Sequence, residues 1–236
     1  MTLPEARPPT TLGEMITLLA AVDDEDYAVG VVLIMIGRQA RRELARCDAV
    51  SITCAGDEGS TTLEADSELV RAIDEAQYPD ADGPCPHVVP DGQPVVKQYH
   101  ASMNWPGFRG QALGLGLRSV VAVPLFTADG EPVAVMDLWS RSPIALEPLG
   151  AALMALFDSY GASTAWVAPA GLDLGERQLI AGVSSALELR RVIDWAVAYL
   201  ADLHQVDPDE AFELLRAGAR SGGTDVARTA QRLLAS

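Results

Sequence analysis

The chain has 236 residues, 49% of them hydrophobic, and a formal net charge of −16. That apolar content is enough for a packed core and excludes wholesale disorder, and the length suits one large domain or a medium domain with a small one. The acidic balance weighs against general nucleic-acid affinity, because phosphate binding needs a basic surface.

Met1 to Pro9 holds three prolines, Glu5 and Arg7 but no hydrophobic core, so it does not read as a signal peptide and the cytosol is the expected compartment. Thr11 to Glu14 has the spacing of a helix capping box, and the apolar run behind it predicts a short helix reaching Ala21. Asp23 to Asp26 put negative charge at the start of a second helix, Tyr27 to Arg46, where the macrodipole favours it. Tyr27 to Ile36 is the longest apolar stretch, about half a membrane span, so a buried helix and no membrane partner are expected. Ala49 to Ala55 is rich in β-branched residues and predicts a strand, paired with Thr61 to Ala65 across a Gly-Asp-Glu-Gly-Ser turn. Ser67 to Gln77 reads as a helix with Leu69, Val70 and Ile73 on one face. Prolines and glycines dominate Tyr78 to Pro94, which predicts a long functional loop. Arg118 to Thr127 and Pro132 to Ser140 are strong strands, joined as a hairpin through Ala128, Asp129 and Gly130.

Ala145 to Val167 predicts a long amphipathic helix, and Pro169-Ala170-Gly171 marks the expected domain boundary. Beyond it, Glu176 to Leu203 is a long helical stretch. Leu189, Val192, Ala196, Tyr199 and Leu203 alternate steps of three and four along it, a heptad-like seam suited to a homodimer. Asp207 caps the next helix with Pro208 at its first position, and the helix runs to Arg220. Gly222-Gly223 breaks it, and Thr224 to Leu234 forms the last helix. Residues 173–236 carry 10 acidic and 7 basic residues, all seven arginine, against 23 acidic and 10 basic in residues 1–172. The tail is the part of the chain least hostile to RNA.

Enzymatic signatures are lacking: there is no P-loop, no G-x-S-x-G, no H-E-x-x-H and no dinucleotide fingerprint, so a non-catalytic protein is expected. Cys47, Cys54 and Cys85 form no C-x-x-C pair and read as buried free thiols. Cys85, His87 and His100 are spaced too closely, and lack a fourth ligand, for a structural zinc site.

Four signatures run in order between Asp74 and Leu125: Asp74-Glu75-Ala76-Gln77-Tyr78, Gly83-Pro84-Cys85, Asn104-Trp105-Pro106-Gly107-Phe108, and Arg118-Ser119 leading into Val120 to Leu125. Their order and spacing resemble the GAF sensor domain that actinobacterial ANTAR regulators carry ahead of a small RNA-binding helical module. The resemblance covers Leu12 to Trp166. It implies an antiparallel sheet, helices packed on one side of it, and a pocket between sheet and loops for a small-molecule ligand. The pocket candidates are Cys85, Trp105, Phe108, Arg118 and Ser119. Cys85 reads either as a lip of the pocket or as a thiol packed under the loop; Trp105 and Phe108 either pack in the core or stack on a ligand. Arg118 either holds an anionic ligand or pairs with a carboxylate such as Asp74 or Glu75. A GAF-based enzyme resembling methionine-sulfoxide reductases would need a productive cysteine pair, for which Cys54 and Cys85 are the candidates.

In the tail, Arg190, Ile193, Ala196 and Leu200 fall where ANTAR domains show R-x-x-I-x-x-A-x-G-x-L. Ala211-Phe212 with Leu215-Arg216 is close to the A-F-x-x-L-R core, and Val226 with Thr229-Ala230 fits the closing L-x-x-V-A pattern. Together the resemblances imply an α+β fold: a GAF sensor domain over residues 10–168 and an all-α three-helix ANTAR-like module over 173–236. They imply transcription antitermination by a dimer that binds hairpin-containing RNA, with Arg190, Arg191, Arg216, Arg220 and Arg228 reaching phosphates and unstacked bases. The alternative for these arginines is pairing within their own helices, Glu213 with Arg216 and Glu188 with Arg191. The sequence departs from the family pattern with Ala198 for glycine, Ala201 for methionine, Ala219 for serine, Gly223 for asparagine, and Asp225 where a basic residue is common. The last three would strip groups from the RNA face, leaving a tail that serves dimerisation only.

Overall fold

A computed structural model describes residues 9–23, 28–54, 60–75, 93–98, 106–130, 132–160 and 171–235. Helix α1 (Leu12–Leu19) starts at the expected capping box, with Thr11 Oγ1 accepting from the Glu14 amide and Glu14 reaching back to the Thr11 amide. Helix α2 (Ala28–Glu43) buries Val29, Val32, Leu33, Ile36 and Ala40, the stripe its apolar spacing predicts. Strands β1 (Ala49–Cys54) and β2 (Thr61–Ala65) lead to α3 (Glu68–Glu75). Then come β3 (Val95–Gln98), α4 (Pro106–Gly114), β4 (Ser119–Phe126) and β5 (Pro132–Ser140). Helix α5 (Glu147–Tyr160) follows, and three further helices close the chain: α6 (Leu174–His204), α7 (Pro208–Gly222) and α8 (Val226–Leu234).

The strands form one antiparallel sheet in the order β2-β1-β5-β4-β3. Side-chain alternation assigns each strand residue to a face. Val50 and Ile52, Val121, Val123 and Leu125, and Ala134, Met136 and Leu138 point into the main core, against α1, α2, α5 and the first half of α6. Ala49, Val120 and Trp139 face the other way, packing with Val70 and Ile73 of α3 and Ala112 of α4. Helices therefore lie on both faces rather than on one as the family resemblance implies. The reason is visible in β4 and β5, which are buried along nearly their whole length and so read as continuous apolar runs.

A third cluster forms the C-terminal module: Ile193, Ala196 and Leu200 of α6, Ala211, Leu215 and Ala219 of α7, and Val226, Ala227 and Ala230 of α8. Ala128, from the turn between β4 and β5, belongs to the same cluster. The 31-residue α6 thus serves two cores, since Leu179, Ile180, Val183, Ala186 and Leu187 lie in the sensor core. Its start is fixed by a second capping box, Asp173 with Glu176, and by Arg46, which pairs with Glu176 at 3.2 Å and donates to the Gly171 carbonyl. Burial pushes the Glu176 carboxyl above its ordinary range. Helix α1 crosses α6 where two glycines meet: a Cβ on Gly182 would lie 2.6 Å from the Gly13 Cα.

The expected dimer seam divides differently from the pattern in the sequence. Ala196 is inside the module, with Ile193 and Leu200, whereas Trp195, Tyr199 and Leu203 are exposed. The small residues Ala211, Ala219 and Ala230 on α7 and α8 let those helices approach one stripe of α6 closely and leave the bulkier stripe outside.

Candidate nucleic-acid interface and sensor chamber

On the α3 side of the sheet lies a buried polar group that the sequence does not announce. Asp74 is fully buried on α3 and accepts hydrogen bonds from Ser51 Oγ at 3.0 Å, Thr53 Oγ1 at 3.2 Å and Thr62 Oγ1 at 3.4 Å. Trp139 Nε1 donates to Ser51 Oγ at 3.1 Å. Burial pushes the Asp74 carboxyl well above its ordinary range, the nearby Asp137 carboxylate adds to the push, and the three hydroxyls oppose it. The available signal is periodicity: Ser51 and Thr53 alternate with Val50 and Ile52, and Asp137 sits between Met136 and Leu138, so the polar residues share one buried face.

Of the pocket candidates, Cys85 and Trp105 fall outside the described residues, as do His87 and His100. Phe108 lies in the first turn of α4. Arg118 is exposed just ahead of β4, and its amide donates to the Ser140 carbonyl at 2.7 Å. Ser119 has the alternation of Val121 and Val123, away from α3, and its hydroxyl donates to the Ser142 carbonyl at 2.8 Å. Of the two carboxylates offered to Arg118, Asp74 is instead surrounded by hydroxyls. Cys47 and Cys54 are free thiols, both raised above the ordinary range by burial, and Cys54 packs against the main core, on the face away from Asp74. Among the described residues no group of His, Cys, Asp and Glu is placed to hold a metal ion.

The tail arginines divide into two sets. Arg220 and Arg228 are exposed, as is Arg232. Arg216 is turned inward, its side chain only 8% exposed, pairing with Asp23 at 3.4 Å and with Glu213 at 3.0 Å, its guanidinium over the Phe212 ring. The intrahelical Glu213 pair is the one the sequence offers; Asp23, its second partner, is remote in sequence. Arg190 is half-buried and stacks on Phe126 of β4, 5.1 Å from the ring centroid, and Arg191 is half-buried beside it. The picture of all five arginines facing outward therefore does not hold for Arg190 and Arg216, which turn inward where the module meets the sensor; Arg220 stays exposed but also reaches that junction, 3.5 Å from Asp23.

The three departures assigned to an RNA face have other positions. Ala219 is buried in the module core, where a polar hydroxyl would need a partner. Gly223 ends α7 at φ +58°, a left-handed position that glycine and asparagine both adopt, with the Thr224 amide closing on the Ala219 carbonyl. Asp225 caps α8, accepting from the Arg228 amide at 2.7 Å. Each residue shapes the helix pair rather than its outer surface.

A family model described as GAF domain matches residues 28–168, and one described as ANTAR domain matches residues 181–234. No curated protein matches the chain. Among solved structures, the chain is similar to fRMsr of Staphylococcus aureus in complex with substrate, at 12% identity and a TM-score of 0.43, covering 76% of this chain and 97% of that one. It is similar to the A. aeolicus nlh2 GAF domain in an inactive state, at 15% identity and a TM-score of 0.41, covering 61% and 88%. The GAF domain of a two-component sensor histidine kinase from Bacillus halodurans matches at 11% identity and a TM-score of 0.39, covering 64% and 90%.

Proposed function

We propose, for a chain that belongs to the GAF domain family and carries an ANTAR domain at its C-terminal end, a signal-responsive transcription antitermination regulator of the type found in actinobacteria. The GAF domain binds a small molecule on the α3 side of its sheet, and the ANTAR module engages hairpin-containing RNA in the cytoplasm. The protein is a binding and signalling device, not an enzyme: its described thiols, Cys47 and Cys54, are buried and raised above the ordinary range.

One observation carries the reading over a dimerisation-only tail. Ala219, Gly223 and Asp225, the departures that suggest a stripped RNA face, occupy a core position, a left-handed cap and a helix N-cap. The turn between α7 and α8 is intact, and Arg220 and Arg228 flank it on the surface. Dimerisation uses the exposed stripe of α6 formed by Trp195 with Tyr199 and Leu203, the part of the heptad-like seam that the module leaves outside.

Filter binding with a tandem-hairpin RNA at several salt concentrations tests the proposal. Replacing Arg220 and Arg228 together by alanine lowers affinity and reduces the salt slope by about 2, one unit for each phosphate left without its arginine. A double variant with an unaltered slope rejects it.

A further inference from the structure

Asp23, from the sensor side, bridges two arginines of the module. Asp23 Oδ2 lies 3.4 Å from Arg216 Nε and 3.5 Å from Arg220 Nη2. The two arginines are one helical turn apart on the same side of α7, so a single anion reaches both. The backbone beside Asp23 is pinned: the Val22 carbonyl accepts from the Ala128 amide at 2.9 Å, and Ala128 is itself buried in the module core. The same β4–β5 turn meets α6, where Arg190 stacks on Phe126 and its Nε lies 3.1 Å from where a Cβ on Gly130 would be. Beside this junction opens a cleft of about 820 Å³, lined by Leu18 and Asp23 from the sensor side and by Arg220, Thr224, Asp225 and Arg228 from the module.

We propose that Asp23 is an internal competitor for RNA phosphate: it occupies the anion position between Arg216 and Arg220, holds the module closed against the sensor, and must leave before RNA engages both arginines. This rests on the RNA-binding reading of the module. A carboxylate and a phosphodiester oxygen satisfy the same guanidinium donors, so the two exclude each other on chemical grounds. The intramolecular ligand has the advantage of a high effective concentration, set by its tether to the sensor. Among the described residues the device joins the Asp23 carboxylate to two guanidinium groups, beside a backbone bond to the turn that the sensor sheet itself supplies. Arg228, which lines the same cleft, is exposed in the closed state. RNA can therefore make a first contact there before Asp23 is displaced.

The test uses the full chain, a fluorescein-labelled tandem-hairpin RNA, and the substitution Asp23→Asn, which removes the charge at constant size. The variant binds RNA about 5- to 30-fold more tightly than wild type. Its salt slope matches that of wild type, because once Asp23 has left, RNA contacts the same phosphates in both complexes. Wild type that binds while Asp23→Asn binds no better overturns the competitor and leaves the RNA reading standing. Failure of both proteins to bind, when hydrogen exchange shows the α7–α8 turn released in the variant, overturns the RNA reading and the competitor with it. A wild-type measurement removes dependence on the folding of the variant: saturating RNA raises exchange at the Ala128 amide at least about fivefold as its bond to Val22 opens. Unchanged protection at Ala128 in the RNA complex overturns the proposal.

Discussion

Substituting Gly182 by alanine tests how tightly the sensor holds α6. A Cβ on Gly182 would lie 2.6 Å from the Gly13 Cα and 2.7 Å from its carbonyl oxygen, and one on Gly13 would lie 2.6 Å from the Gln178 carbonyl oxygen. These are backbone atoms, so no side chain can swing aside. Reaching an ordinary 3.4 Å contact from 2.6 Å moves the helices apart by roughly 0.8 Å. Met15, Ile16 and Leu19 of α1 and Leu179, Ile180 and Val183 of α6 are buried along that crossing and loosen together. Overpacking of this kind costs about 1–3 kcal/mol, and backbone-on-backbone contact puts it in the upper half of that range. Alanine's better helix propensity returns about 1 kcal/mol. The net loss is about 1–2 kcal/mol, which for a chain of this size lowers Tm by roughly 2–8 °C. Thermal and urea unfolding followed by far-UV circular dichroism read it directly. Gly13→Ala has a similar cost, and the double variant costs less than the sum, because one separation of the helices accommodates both methyl groups. A Gly182→Ala protein that melts at or above the wild-type temperature refutes the close crossing.

Three further outcomes follow from individual side chains. Because burial and Asp137 raise Asp74, the folded chain keeps a proton that the unfolded chain releases above its ordinary pKa of about 4. The resulting stability is fully present below that value and is lost as pH rises through the raised folded pKa; Asp74→Asn flattens this fall, and urea titrations from about pH 4 to 8 that keep the same slope would contradict it. Asp225→Ala removes the α8 cap and costs about 0.5–2 kcal/mol, recovered by Asp225→Ser, with faster hydrogen exchange confined to α8 as the signature. At Gly223, asparagine is tolerated while valine costs about 1–2 kcal/mol, since only the latter resists the left-handed backbone; equal melting temperatures for the two variants would remove that explanation.

Local chemistry is legible in the sequence, and long-range partnership is not. The caps at Thr11 and Asp207 are set by residues within one helical turn, so their spacing locates both helix starts. Strand β3 and helix α4 leave little trace: one has four residues, and the other opens with Pro106-Gly107, a pair that reads as a turn. On α6 the apolar residues form two stripes, and hydrophobicity alone does not say which is covered. That choice belongs to the alanines of α7 and α8. Asp23 shows the same limit. As one of four acids before a helix it reads as macrodipole chemistry, yet its partner Arg220 is 197 residues further along the chain. Asp74 stands out as part of a motif, but its enclosure depends on hydroxyls from β1 and β2 that meet it only after the sheet forms.

The shared helix constrains how a signal could travel. Helix α6 is about 46 Å long at 1.5 Å per residue, and its first half is fixed in the sensor core. The module therefore cannot pivot on a loose linker. A ligand bound on the α3 side, as proposed, would act through the sheet, where Asp137 on the α3 face neighbours Met136 on the core face, and the β4–β5 turn lies at Ala128 and Gly130. That turn touches both Arg190 and the backbone beside Asp23. A ligand moves the junction only by its difference in affinity for the closed and open arrangements. Driving the equilibrium from 1:99 to 99:1 would take a difference of about 10⁴-fold, but RNA contributes its own preference for the open form. A sensor ligand that discriminates by about 100-fold brings the two arrangements to parity from 1:99, and RNA supplies the remainder. Sensor ligand and RNA then strengthen each other's binding by the same factor, so RNA-induced tightening of the ligand, measured by calorimetry, is the reciprocal sign of the coupling. Affinity for the ligand that stays constant at saturating RNA would mean that the two sites do not communicate through this junction.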